Sequence, residues 1–137
     1  MASEKALRIS GGFTRSVVSG NKGLSVTQRV SNADLMTMYR VYNHRYFGGK
    51  LPRNAKVSFH PHEKMDDAIG WSFNQAWGDD KTEIWISDRL RYTTCCAMMI
   101  LLHEQIHLAL PKFCEHCKHF DAWKRRLFDD GALDMIW

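Results

Sequence analysis

Between Ala97 and Leu102 six apolar residues run without a break into His103-Glu104-Gln105-Ile106-His107-Leu108. No other segment constrains the fold as much, because its polar residues make sense only on a helix. Helical residues four apart stand one turn apart, about 6 Å along the axis and on one face. His103 and His107 can then reach one zinc ion at the roughly 2.0–2.1 Å that such an ion requires. Glu104 follows His103 by about 100° of rotation. Its carboxylate stands beside the ion without taking a ligand place, where it can accept a proton from water. Two histidines and a glutamate would be costly to bury in an apolar helix without such a use. The plainer alternative is that they line an exposed face of it. A catalytic zinc takes a third protein ligand and leaves a fourth position open. Beyond Pro111, which stops the helix, Glu115, His116, His119 and Asp121 are the residues available. His116 comes from the turn before the last helix, and His119 lies on that helix's first turn.

The chain has 137 residues, enough for one domain with one buried core. Residues 1–30 are rich in Gly, Ser and basic side chains without sustained periodicity and read as a flexible basic arm; residues 31–137 form the folded domain. Ser31-Asn32-Ala33-Asp34 resembles a capping box. Leu35, Met38, Tyr39, Tyr42 and Tyr46 then make one helical stripe, ended by Gly48-Gly49. Three short strands are expected at Lys56–His60, Ala68–Ser72 and Thr82–Ser87. Helices follow at about Thr94–Leu110 and Lys118–Asp130, the last with Phe120, Trp123, Leu127 and Phe128 inward. The expected class is α+β: an N-terminal helix, a small, mostly antiparallel sheet, the His-Glu-x-x-His helix and a C-terminal helix.

His103-Glu104-Gln105-Ile106-His107-Leu108-Ala109-Leu110, followed by Glu115-His116-Cys117-Lys118-His119-Phe120, resembles the SprT-like (Spartan-type) zinc metallopeptidases. Their pattern is HExxH, a variable loop, then His-Gly-x-x-Phe. Tyr42-Asn43-His44-Arg45-Tyr46-Phe47-Gly48-Gly49-Lys50-Leu51-Pro52 is similar to another segment of that family, and the likeness spans about residues 34–137. The resemblance implies a zincin-like domain that hydrolyses peptide bonds, with one catalytic Zn2+ held by His103, His107 and His116 and Glu104 as general base. It leaves His119 beside the site or facing substrate. It further implies protein or peptide substrates, among them proteins bound or crosslinked to DNA. Cys117 stands where the family usually has Gly, a departure that would strain the backbone if φ were positive there.

Other residues carry weaker signals. Cys114-x-x-Cys117 with His116 and His119 can be read as a separate zinc site, although such sites normally need four ligands of their own. Without a secretory signal, reduced thiols are the default, with a Cys114–Cys117 disulfide the alternative, and a cytoplasmic or nuclear location is the expectation. His60-Pro61-His62-Glu63 reads as an exposed turn, and His44 as a surface residue. Thr82–Ser87 is a candidate edge strand for a substrate to pair with, and equally a candidate internal strand. Trp71, Trp77 and Trp85 either line a cleft or pack in the core. The net charge of +4 admits non-specific DNA contact through the arm or through Lys112, Lys118, Lys124, Arg125 and Arg126, and equally a solvated surface. No apolar run approaches the roughly 18 residues of a membrane span. The remaining reading is a catalytically silent, zinc-stabilised module that binds protein or nucleic acid.

Overall fold

The computed structural model describes residues 29–135. Most of the arm expected over residues 1–30 lies outside them, but Val30 is fully buried and donates its N–H to the Arg91 carbonyl, so the core takes in the arm's last residue. The described residues form a mixed α and β structure of three α-helices and one three-stranded sheet. Helix α1 spans Asn32–Tyr46 and opens on the expected capping box, Ser31 and Asp34 each accepting the other's backbone N–H. Its stripe of Leu35, Met38, Tyr39, Tyr42 and Tyr46 is buried. Gly48 and Gly49, at φ 62° and 72°, adopt the left-handed turn that releases the chain. The Asn43 amide locks that turn by hydrogen-bonding both the N–H and the carbonyl of Leu51.

Strands β1 (Lys56–His60), β2 (Gly70–Phe73) and β3 (Glu83–Ser87) assemble in the order β1-β3-β2. The sheet is mixed rather than mostly antiparallel: β3 runs parallel to β1 over five residue pairs and antiparallel to β2 over four. Alternation of apolar residues marks a strand but not its neighbour. Here the chain passes the central position after β1, forms β2 at the far side, and returns through the Gln75–Trp77 turn to fill the gap. Thr82–Ser87 is therefore internal, and the role of edge strand falls to β1 and β2.

These two edges differ. Along β1 the outer N–H groups are already occupied, Phe59 donating to Asn32 Oδ1 and Val57 to Met36 Sδ of α1. Along β2 the Ser87 N–H bonds to the Ile69 carbonyl, so the hydrogen-bonded pairs with β3 fall at Ile69, Trp71 and Phe73. By antiparallel alternation the N–H and C=O of Gly70 and Ser72 point away from β3, to the side where no other strand of the described residues lies.

Helix α2 (Thr94–Leu108) lies at the centre, against α1, β2 and β3. It buries Ala97, Met98, Leu101, Leu102, Ile106 and Leu108. Fully burying a Leu or Met side chain contributes about 2 kcal/mol, so this helix is a main source of stability. Gln105, fully buried, donates to the Tyr39 carbonyl and ties α2 to α1. The β2–β3 connection caps the end of α2, Asn74 Nδ2 donating to the carbonyl of its last residue, Leu108, and Trp77 Nε1 to that of Leu110 just beyond. Helix α3 (Lys118–Asp129) packs on α2 through Phe120 and Leu127. Phe128, expected inward, is 66% exposed, because the stripe from Phe120 turns through Leu127 and leaves the next residue outside. No helix among the described residues is long and apolar enough to cross a membrane.

Candidate metal centre

His103 and His107 stand on consecutive turns of α2, partly buried, while His116 reaches in from the loop between α2 and α3. Their Nε2 atoms converge: His103 to His107 is 3.3 Å and His103 to His116 is 3.2 Å. One ligand atom from each lies within 4.8 Å of the others, close enough for all three to hold a metal ion. Nitrogens bound tetrahedrally at 2.0–2.1 Å stand about 3.3 Å apart, so the donor set suits a zinc-sized ion. Three imidazole nitrogens facing one another without a cation would form a poor hydrogen-bond set, since a neutral ring has one donor and one acceptor.

Burial, and then the neighbouring imidazoles, bring the pKa of His103 down to about 4; burial and His116 do the same for His107. Lys124, over the Phe120 ring, adds to the effect at His103. Both rings are neutral at pH 7 and present lone pairs rather than positive charge. Phe120 forms the floor of the site, its ring centroid 4.8 Å from His103, 4.8 Å from His107 and 4.9 Å from His116. Sequence periodicity marked Phe120 as an inward residue of α3 but could not show that it supports all three imidazoles at once.

Glu104 is 5% exposed, and burial raises its pKa to about 7. The Ser72 side chain hydrogen-bonds to it, which favours the charged form and partly opposes burial. Strand β2 approaches Glu104 at Gly70 as well. A Cβ built there would lie 2.7 Å from Glu104 Oε2 and 2.6 Å from Ile100 Cγ2, so only glycine leaves room. Neither Ser72 nor Gly70 carried a signal for this role in the sequence; β2 had to be docked on α2 before either could be seen.

The α2–α3 loop is closed by a disulfide between Cys114 and Cys117, whose Cα atoms are 5.3 Å apart, so the alternative to the default of reduced thiols holds there. The bond brackets Glu115 and His116 and leaves neither sulfur as a metal ligand. Among the described residues the separate site of Cys114, Cys117, His116 and His119 is thus not assembled, and His119, Glu115 and Asp121 stand outside the three-histidine group. Cys117 has φ −76°, so the chain needs no glycine there. Cys95 and Cys96 are free thiols.

Other expectations change. His62 is buried, its Nδ1 2.9 Å from the fully buried Ser87 Oγ, and His60 stacks on Trp85 at 3.9 Å. The segment is thus an exposed turn only in part: His60 ends β1, and in the turn that follows Glu63 is exposed while His62 is buried against Ser87. His44 is exposed. Trp71 and Trp85 meet edge-on on the sheet surface turned away from α1 and α2, outside the core, while Trp77 packs against the core as one reading had it. Comparison with protein-family models, curated proteins and solved structures gave no match.

Proposed function

We propose that the chain is a zinc-dependent endopeptidase of the SprT-like, zincin-like kind. The observations that carry this reading are the convergence of ligand nitrogens from His103, His107 and His116, and a buried carboxylate, Glu104, one residue past the first of them on the same helix. When bound, zinc supplies Lewis acidity, which polarises a carbonyl and acidifies water. Glu104 accepts the proton of the attacking water on its carboxylate and then donates it to the leaving amine nitrogen. A carboxylate with a pKa of about 7 suits both halves of that task, because neither form is strongly favoured at neutral pH. Ser72 holds the carboxylate from one side, and the missing Cβ of Gly70 gives it space.

The substrate backbone has a natural seat. The outward N–H and C=O groups of Gly70 and Ser72 lie on the residues that touch Glu104, so a polypeptide added along β2 would run past the site. The family resemblance adds proteins attached to DNA as a substrate class. Lys112, Lys118, Lys124, Arg125 and Arg126 are all exposed and supply the positive surface for such a setting.

The test is cleavage of an unfolded protein by the zinc-loaded chain, by the same chain after chelation, and by Glu104→Gln. Cleavage is expected from the first alone. Equal cleavage by Glu104→Gln removes the mechanism, and zinc binding without cleavage by wild type leaves the silent binding module.

A further inference from the structure

Strand β2 has its side chains reversed with respect to an ordinary half-buried strand. Gly70 and Ser72 turn toward α2, whereas Ile69, Trp71 and Phe73 turn outward, Ile69 48% and Trp71 36% exposed. A strand with one face in the core normally puts its large apolar residues inward. An outward apolar row marks a contact surface. The row is continuous: the Trp71 ring lies 5.6 Å from Phe73 and 5.9 Å, edge-on, from Trp85, and Phe73 lies 5.1 Å from Trp85. The helices that contact the sheet lie on its other side, where Val57, Phe59, Ile84 and Ile86 are buried.

The row borders the backbone edge of the same strand, which pairs with no other strand among the described residues. A chain that pairs with that edge sends alternate side chains to opposite faces. One set points toward α2, on the side where Gly70 and Ser72 meet Glu104. The other set lies directly beside Ile69, Trp71 and Phe73, at the distance where aromatic and β-branched cross-strand pairs attract. The ladder geometry selects a polypeptide. A phosphate chain is disfavoured by the Glu83 carboxylate, which accepts from Trp85 Nε1 at 2.8 Å among the rings.

We propose that the β2 edge selects extended polypeptide segments carrying apolar or aromatic residues at every second position, seated on the outward row of Ile69, Trp71 and Phe73. As a statement about substrate it rests on the peptidase reading; as a statement about binding it does not.

The experiment uses zinc-loaded Glu104→Gln protein and two fluorescent peptides of ten residues and equal composition. One alternates Val and Tyr with Thr and Lys; the other groups the apolar residues together. By anisotropy the alternating peptide is expected to bind about tenfold more tightly, the sum of a few cross-strand pairs. Amide shifts should centre on Gly70 and Ser72. In the Trp71→Ser/Phe73→Ser variant the preference should fall to about twofold or less with zinc content unchanged. Equal binding of the two peptides, or a preference that survives that variant, overturns the proposal whether or not wild type cleaves them. A preference without cleavage by wild type supports the proposal and removes the peptidase function instead. Shifts at β2 caused by oligodeoxythymidylate alone, or by self-association of the protein alone, overturn it in favour of those occupants.

Discussion

Glu104 is where a single side chain decides most. Its pKa is raised in the fold, from 4.5 to about 7, so between those values the folded chain binds a proton that the unfolded chain has released. Stability from this group therefore declines as pH rises from about 4.5 to 7, and the deficit persists above 7. Glu104→Gln removes the charge while keeping the shape. It is expected to stabilise the metal-free protein at pH 8 by up to about 3 kcal/mol, measured by urea unfolding, while abolishing cleavage. His103 and His107 act with the opposite sign. Their pKa values are lowered from 6.5 to about 4, so their contribution is present above 6.5 and is lost as pH falls toward 4. In Glu104→Gln, where the compensating carboxylate is gone, metal-free stability should fall steadily across that window; a flat profile would contradict the burial of the two rings. Ser72→Ala takes one hydrogen bond from the carboxylate. Under the proposed mechanism it should lower kcat by roughly tenfold with zinc content unchanged, and Ser72→Thr should restore most of it.

At the scale of elements, the site is made where α2, β2 and the α2–α3 loop meet. Gly70 permits the closest of these contacts. Gly70→Ala drives a methyl group onto the Ile100 side chain and Glu104 Oε2, displacing the carboxylate. Cleavage should drop by about a hundredfold while zinc binding, which would use His103, His107 and His116 and not the carboxylate, is retained by calorimetry. The loop is the second determinant. Cys114 and Cys117 are joined across Glu115 and His116, so the bond limits how far the third histidine can stray. Opening so short a loop releases about 2 kcal/mol of chain entropy. The Cys114→Ser/Cys117→Ser variant should bind zinc up to about twentyfold more weakly, read by competition with a chelating dye. Phe120→Ala acts on the same loop from α3. It removes the floor beneath three imidazoles and should cost about 3–5 kcal/mol of stability together with zinc affinity.

For the whole molecule, the core that joins α1, the sheet and α2 is built from buried apolar side chains, whereas His103 and His107 are half-buried and His116 is exposed. Chelation should leave far-ultraviolet circular dichroism nearly unchanged, while zinc at a thousandfold above its Kd should raise stability by about 4 kcal/mol. Loss of secondary structure on chelation would mean that the ion is part of the core. The elements themselves were legible beforehand: the stripe from Leu35 to Tyr46, the capping box at Ser31 and the strand at Lys56–His60 depend on neighbours within a few residues. So was the pairing of His103 with His107, since helix geometry alone sets it. The order of the strands was not. Short strands such as Lys56–His60 and Glu83–Ser87 carry no label for their partners, and the mixed sheet follows from how the chain crosses between them. His116 was one of four downstream residues until the loop was folded, with the family resemblance alone favouring it.

What the sequence determined by itself was local: which segments coil or extend, and that two imidazoles and a carboxylate share one helical turn. Tertiary structure alone decided that Ser72 and Gly70 meet Glu104, that Phe120 underlies all three histidines, and that Trp71 and Phe73 turn outward at an open edge. These are contacts between residues far apart in the chain. They arise when apolar faces are buried against one another, a competition among all segments at once that no short stretch of sequence records.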